Sequence, residues 1–201
     1  TESGKNIFKI NNKSDLFKLK KNKRKKFIIS EFIEGTLHSC TMMIHNIRNE
    51  FVFVDEFCNE QPYTVDLSNS PSILPKNIKQ KVISNLNKIS KIFKLKSGIL
   101  HVQFIKNKNR IFFIEATRRC PGDYFGLLIQ KIYNFDYYLY YCKNFLSKQT
   151  NIKIKENKNF MIRKTLKESK DYDKYANFKS KKLYLSYAQK NKKKYGVLFI
   201  K

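Results

Sequence analysis

Acidic residues are scarce in this chain, 16 against 42 basic ones in 201 positions, and tryptophan is absent. No apolar run approaches the length that spans a bilayer, and no signal-peptide-like stretch opens the sequence. A membrane role is therefore not expected, and the reading is of a cytoplasmic protein. The four cysteines, Cys40, Cys58, Cys120 and Cys142, lie far apart with no CxxC pair. That excludes a disulfide framework or a zinc site as the first reading and leaves reduced thiols. No internal repeat is present. The shortage of acids leaves a net charge of +26, which ordinarily points to nucleic acid or an anionic surface. Here the charge is nearly all lysine, dispersed along the chain and densest at Lys18 to Lys26 and Lys190 to Lys194. It accompanies abundant Asn, Ile, Phe and Tyr, the joint excess that AT-rich codons produce on any surface. No RNA-binding signature with interleaved aromatics is present, so a nucleic-acid partner is not expected. Part of such a charge would also suit the attraction of a small polyanion.

What the chain does have is apolar bulk. Seventeen Phe and twelve Tyr within 41% hydrophobic residues suffice for one good core and a small second lobe. A short strand is expected at Asn6 to Ile10, then a helix capped by Ser14 and running to about Lys21. Phe27 to Phe32 is a compact apolar run suited to a buried strand, ended by Glu34-Gly35. Ser39 to Ile47 and Phe51 to Phe57 read as strands around a turn at Asn46 to Glu50. Pro62, Pro71 and Pro75 punctuate an irregular stretch. From Asn77 to Phe93 the spacing of Ile78, Val82, Ile83, Leu86 and Ile89 predicts an amphipathic helix. Ile99 to Ile105 and Arg110 to Thr117 predict a β-hairpin. Helices follow over Tyr124 to Ile132 and Phe135 to Phe145, then short strands at Met161 to Leu166, Leu183 to Ala188 and Val197 to Ile200. The order is α+β, without the regular period of a doubly wound sheet.

The hairpin is the most informative piece. Alternation puts His101, Gln103 and Ile105 on one face, and Ile111, Phe113, Glu115 and Thr117 on one face of its partner. An antiparallel register centred on Asn109 sets Gln103 opposite Glu115. Side-chain oxygens converging there, with Arg118-Arg119 next along the chain, suit a hard cation that takes its remaining ligands from water and phosphates. An arginine beside such an ion stabilises charge on a transferred phosphoryl group. From spacing alone, an exposed ion pair between Glu115 and Arg118 or Arg119 remains the other reading.

The residues His101-Val102-Gln103-Phe104-Ile105 and Phe113-Ile114-Glu115-Ala116-Thr117-Arg118-Arg119-Cys120-Pro121-Gly122-Asp123 resemble the metal-binding hairpin of the ATP-grasp superfamily. Its carboxylate–amine ligase branch is the nearer likeness. The resemblance implies that Glu115 is the principal Mg²⁺ ligand and that Arg119 contacts the transferring phosphate. Gln103 stands where the family has its first acid, and Thr117 where it has an Asn. Both departures lower the negative charge of the site. Phe27-Ile28-Ile29-Ser30-Glu31-Phe32-Ile33-Glu34-Gly35 is similar to the family's hinge strand. There backbone groups near Ser30, Glu31 and Ile33 would meet adenine, and Glu34 or His38 the ribose. Thr1 to Ile10 resembles the glycine loop that closes over the phosphates, with Ser3, Gly4 and Lys5 as its contacts.

The resemblance covers residues 1 to about 145 and implies the second half of the ATP-grasp catalytic unit, an antiparallel sheet with flanking helices. Residues 1–29 would be the remnant of the small lobe, 30–148 the large lobe, and 149–201 a small C-terminal lobe. The implied activity is ATP- and Mg²⁺-dependent ligation of a carboxylate, through an acyl phosphate, to an amine or similar nucleophile. Arg118, Asp123 and Tyr63 are the residues expected to face substrate. A missing N-terminal domain or partner chain would complete the cleft. A degenerate nucleotide-binding or structural subunit without turnover is the competing reading, favoured by Gln103 and Thr117.

Overall fold

The computed structural model describes residues 7–20, 28–45, 48–59, 62–122, 124–146, 154, 160–166, 181–185 and 196–200. Ser3, Gly4, Lys5 and Asp123 lie outside the described residues, as do the strand residues expected at 186–188. In chain order the elements are α1 (Lys13–Lys20), β1 (Thr36–Ile44), β2 (Glu50–Phe57), β3 (Leu67–Ser70), α2 (Lys76–Ile92), β4 (Gly98–Asn107) and β5 (Arg110–Thr117). Helices α3 (Phe125–Tyr133) and α4 (Tyr137–Phe145) follow, then β6 (Met161–Leu166), β7 (Lys181–Leu185) and β8 (Gly196–Ile200). The eight strands form one sheet in the order β5-β4-β1-β2-β3-β6-β8-β7. Each neighbouring pair in it is antiparallel. The strands of the expected C-terminal lobe thus continue the main sheet, with β6 pairing to β3.

Helices cover the two faces of this sheet. On one, Cys40, Met42, Phe53, Leu100, Val102 and Phe104 meet the stripe Ile78, Val82 and Leu86 of α2. Those three helical residues are spaced four apart and fully buried, because that spacing keeps them on one side of the helix. On the other face, Met43, Val52, Val54 and Ile99 pack against α3 and α4 through Leu128, Ile129, Ile132, Tyr137 and Tyr140. Val197 and Phe199 of β8 join that second core. Coverage of both faces explains why the central strands read as continuous apolar runs such as Phe51 to Val54. Truncating a fully buried Leu86 or Leu128 to Ala would cost about 2–5 kcal/mol.

Three local expectations are corrected. Helix α1 starts at Lys13, one residue before Ser14, and its cap is Asn12, whose Oδ1 accepts from the Asp15 amide at 3.0 Å. The Asp15 carboxylate accepts in turn from the Asn11 amide, a reciprocal arrangement of the capping-box kind. Residues 7–10 lie outside any strand, and so do residues 28–34, where a buried hinge strand is expected. Ile28 is 98% exposed and Ile29 80%. An apolar run becomes a strand only where a neighbour takes up its backbone hydrogen bonds, and no described strand pairs with this one.

Candidate functional site

The β4–β5 hairpin turns tightly at Lys108-Asn109, with Asn107 paired to Arg110. Gln103 pairs with Glu115 and His101 with Thr117, as the spacing predicts. Between Gln103 and Phe104 the register shifts by a β-bulge, so that Phe104 pairs with Phe113 and Ile114 is the extra residue. This corrects the expectation that Ile111, Phe113, Glu115 and Thr117 share a face. Ile111 and Phe113 turn toward α2, Phe113 stacking edge-on to Phe104 at 6.1 Å between ring centres. Glu115 and Thr117 lie opposite Gln103 and His101 on the other face. One inserted residue thus lets Ile111 and Phe113 lie on the α2 side while Glu115 stays beside Gln103, the re-aiming that bulges provide.

That second face divides along its length. One end is the apolar core beneath α3 and α4. The other is polar: Ser39, Glu56, Ser68, Gln103, Glu115 and Arg163, with Thr41 and His101 at the boundary. The Gln103 amide Nε2 donates to Glu56 Oε2 at 2.6 Å. Because an ionised carboxylate only accepts, this contact assigns the amide nitrogen to Glu56 and leaves the Gln103 carbonyl oxygen as the other end. Burial pushes the Glu56 carboxyl up from the ordinary range, against the lowering effect of Ser39, Gln103, Arg163 and His38. His101 packs edge-on against Phe125 at the start of α3, and its Nδ1 hydrogen-bonds the Thr41 hydroxyl at 2.9 Å. Burial, helped by the nearby Arg119 charge, depresses His101 to about 3, so its imidazole is neutral at physiological pH.

The expected arginines take different places. Arg118 Nε donates to the Ile99 carbonyl at 3.1 Å and its Nη2 to the Ser97 carbonyl, fastening the end of β5 to the start of β4. Its guanidinium is therefore spent on backbone. Arg119 is exposed; its Nη1 donates to the Cys120 carbonyl at 3.2 Å, and its amide to Thr117 Oγ1 at 3.4 Å. It forms no carboxylate ion pair among the described residues. The exposed-ion-pair reading of Glu115 with Arg118 or Arg119 thus finds no contact there.

His38 sits on the α2 face, since it pairs with Phe104 and stacks on that ring, whereas Gln103 pairs with Ser39. Its Nδ1 hydrogen-bonds Asp55 Oδ1 at 2.7 Å and its Nε2 the Thr36 hydroxyl at 2.7 Å. Asp55 also accepts from Ser72 Oγ, from Asn69 Nδ2 at 2.9 Å and from the Ile73 amide at 2.9 Å. Burial pushes the Asp55 carboxyl up, but the hydrogen bonds from His38, Ser72, Ile73 and Asn69 outweigh it and hold it below the usual range. Both ring nitrogens of His38 are thus engaged inside the protein.

Ser30, Glu31, Ile33 and Glu34 lie before β1, outside any helix or strand, in a segment held at its end by Asn107 Nδ2 on the Glu34 carbonyl at 2.9 Å. Gly35 follows, and a Cβ there would stand 2.3 Å from the Lys106 carbonyl oxygen, so only glycine lets the chain pass so close to β4. Tyr63 is exposed in the β2–β3 connection, with φ 63°. A cavity of about 590 Å³ lined by Arg48, Phe51, Lys76, Lys79 and Ile83 belongs to the α2 side, away from the polar face.

Glu56 and Arg163 are the charged members of the polar face that the sequence did not single out. Adjacent acids at a strand end point to opposite faces, so Asp55-Glu56 carried a signal for one of them. Arg163 carried none, because its position depends on β6 pairing with β3. As to a metal, no group of three or more His, Cys, Asp or Glu side chains capable of holding one occurs among the described residues. The donors present are the Glu115 carboxylate, the Gln103 carbonyl and the Thr117 hydroxyl. All are hard oxygens, and they fit a single Mg²⁺ that keeps waters and phosphate oxygens as its other ligands.

No protein-family model and no curated protein matches the sequence. Solved structures do match. One is carboxyaminoimidazole ribonucleotide synthase from Aspergillus clavatus complexed with ATP, at TM-score 0.76 and 12% identity, over 96% of this chain and 53% of that one. Another is N5-carboxyaminoimidazole ribonucleotide synthetase from Thermus thermophilus, at TM-score 0.69 and 12% identity, over 85% and 47%. A third is L-amino acid ligase from Bacillus licheniformis, at TM-score 0.70 and 10% identity, over 84% and 47%. The chain spans about half the length of these structures.

Proposed function

We propose that this chain, which carries the ATP-grasp fold, is the nucleotide- and metal-binding part of a ligase that joins a carboxylate to an amine at the expense of ATP. The observation that supports this most is the pairing of Glu115 with Gln103 on the polar face, with Arg119 leaving the same strand end. In this reading residues 30–148 form the lobe that bears the metal hairpin, and a further domain or partner chain supplies the rest of the cleft. Ser3, Gly4 and Lys5 close over the phosphates, and the backbone at Ser30, Glu31 and Ile33 with Glu34 lines the nucleotide. Tyr63 and Asp123 face substrate.

The division of labour follows from the side chains. Glu115, the Gln103 carbonyl and Thr117 hold Mg²⁺, which when bound offsets phosphate charge. With its amide tied to Glu56, Gln103 has its carbonyl oxygen left for the ion. Arg119, without a carboxylate partner among the described residues, meets the developing charge on the transferred phosphoryl group. A neutral His101 beside it neither competes for the anion nor repels the guanidinium. Carboxylate activation as an acyl phosphate, then displacement by the amine, needs only positioning and charge stabilisation from these groups. Arg118, fastened to backbone carbonyls, positions the strand end that carries Arg119.

The test is calorimetric titration of the full chain with ATP, with and without Mg²⁺, beside Glu115→Ala. Magnesium-dependent binding that weakens at least tenfold in the variant is the expected result. Binding indifferent to both Mg²⁺ and Glu115 would overturn it. The neutral Gln103 favours a second reading, a nucleotide-binding subunit without turnover. ATP bound under these conditions, with no ADP released in the presence of mixed carboxylates and amines, would select it.

A further inference from the structure

The α2 side of the sheet carries a second constellation, on the face opposite Glu115. Thr36 opens β1 and is exposed, and His38 follows two residues later on the same side of the strand. The Thr36 hydroxyl lies 2.7 Å from His38 Nε2, and His38 Nδ1 lies 2.7 Å from Asp55 Oδ1 on β2. Hydroxyl, imidazole and carboxylate thus form one hydrogen-bonded chain. Its imidazole and carboxylate are buried, and its hydroxyl end stands at the surface.

The protons along this chain follow from the state of Asp55. Despite burial, hydrogen bonds from His38, Ser72, Ile73 and Asn69 hold its carboxyl below the ordinary range, so it is ionised and only accepts. In the neutral ring Nδ1 therefore carries the hydrogen, and Nε2 keeps the lone pair that accepts from the Thr36 hydroxyl. A base in contact with a hydroxyl, itself oriented by a third group, is the arrangement that activates a nucleophile. Two neighbours complete the surroundings. Lys106 pairs with Thr36 across β1 and β4, so both project to one side with Cβ atoms about 5 Å apart. No side-chain hydrogen bond or ion pair engages Lys106 among the described residues. Phe57, two residues beyond Asp55 on the same face, is 40% exposed.

We infer that Thr36 is a nucleophile activated by His38, in a surface site that transfers acyl groups from apolar activated esters to water. The inference stands apart from the ligase reading, since it uses neither ATP nor the Glu115 face. Thr36 Oγ1 attacks the ester carbonyl carbon, and its proton passes to His38 Nε2. The Lys106 ammonium offsets the charge that gathers on the carbonyl oxygen. As the bond to the leaving alcohol breaks, His38 returns the proton to the departing oxygen, and the acyl group stays on Thr36 as an ester. Water, deprotonated by His38 in the same way, cleaves that ester, releases the acid and restores the Thr36 hydroxyl. Asp55 is the positioning residue, holding the ring with Nε2 turned to Thr36. The exposed Phe57 ring offers an apolar surface to the acyl or leaving group.

Labelling of the full chain with an alkyl fluorophosphonate, which spares lysines, tests the nucleophile, and hydrolysis of p-nitrophenyl butyrate tests the turnover. Peptide mapping is expected to find the phosphonyl group on Thr36, formed as fluoride leaves and the proton passes to His38. Thr36→Val keeps the shape of the side chain and should abolish the label, whereas Thr36→Ser should retain it. Ester hydrolysis should fall about 100-fold in Thr36→Val and in His38→Asn, which still offers a donor to Asp55. Nitrogen-15 NMR of the natural chain should show the neutral His38 ring protonated at Nδ1. Thermal unfolding reports whether His38→Asn is folded; if it is not, the exposed Thr36 variants and the ring tautomer decide. Absence of the label from Thr36 would overturn the site. So would ester hydrolysis equal in the natural chain and Thr36→Val, or a neutral ring protonated at Nε2.

Discussion

Gln103 reaches over β1 to donate to the carboxylate of Glu56, 2.6 Å away on β2. The contact ties the β4–β5 hairpin to the centre of the sheet, and it works only because one partner is a donor. Gln103→Glu would remove the donor and set two carboxyls against each other. One of them is then held protonated, so a folded-state pKa rises above its unfolded value. Stability from such a group is fully present below the unfolded carboxylate range, about 4, and is lost as pH rises through the raised value. Urea denaturation should show the variant about 2 kcal/mol less stable than the natural chain at pH 7.5 and nearly equal at pH 4. An equal loss at both pH values would show that the contact is not the one described.

Asp55 predicts the opposite slope. Four donors hold its carboxyl below the usual range in spite of burial. With the folded pKa depressed, its contribution is present above the unfolded value of about 3.9 and is lost as pH falls through the folded one. Asp55→Asn leaves His38, Ser72 and the Ile73 amide facing a group that accepts at one atom only. A cost of about 3 kcal/mol at pH 7, shrinking below pH 3.5, is expected in chemical denaturation. A cost that does not change with pH would assign the loss to packing.

These two contacts also show where sequence reading stops. The stripe of α2 and the pairing of Gln103 with Glu115 were legible because a period of 3.6 or 2 is a property of neighbouring residues. The bulge was not, because Ile111, Phe113 and Glu115 alternate without a break, and only packing of Phe113 on Phe104 reveals the extra residue. Strand β3 was hidden for a related reason. Leu-Ser-Asn-Ser between prolines has no apolar alternation, and its strand character comes from lying between β2 and β6. Phe27 to Phe32 erred the other way: residues 28–32 of an apolar run lie outside any strand. The likeness to a hairpin motif is what singled out Glu115 and Arg119 as candidates. Glu56 and Arg163 came into view only with the strand order, which sets β2 two places from β4 and β6 next to β3.

Gly35 makes a sharp backbone prediction. A methyl group there would meet the Lys106 carbonyl at 2.3 Å and the Ile105 side chain at 2.5 Å, so β1 or β4 must shift. Gly35→Ala is expected to cost about 2 kcal/mol, in the range of overpacked cores. Gly122 has open space around its Cβ position, and Gly122→Ala should stay within about 0.5 kcal/mol. Paired urea titrations settle the matter, and equal costs at the two sites would count against the close approach.

His101 links stability to the chemistry assigned to Arg119. Its ring is buried against Phe125, and burial first, then the Arg119 charge, depresses it to about 3. An imidazole that stays neutral while its unfolded counterpart takes a proton near 6.5 contributes stability above that pH. The contribution is lost as pH falls toward 3, by about 1.4 kcal/mol for each unit. Nitrogen-15 NMR of the ring should accordingly show neutral imidazole from about pH 8 to the onset of acid unfolding. In Arg119→Gln the ring should still be neutral at about pH 6, because burial is the larger cause, while the acid limb of the stability curve moves to lower pH. Protonation of His101 near 6 in the natural chain would mean that the ring is wet. Protonation near 6 in the variant alone would mean that Arg119 sets its state, placing the guanidinium over the imidazole and away from a phosphoryl group.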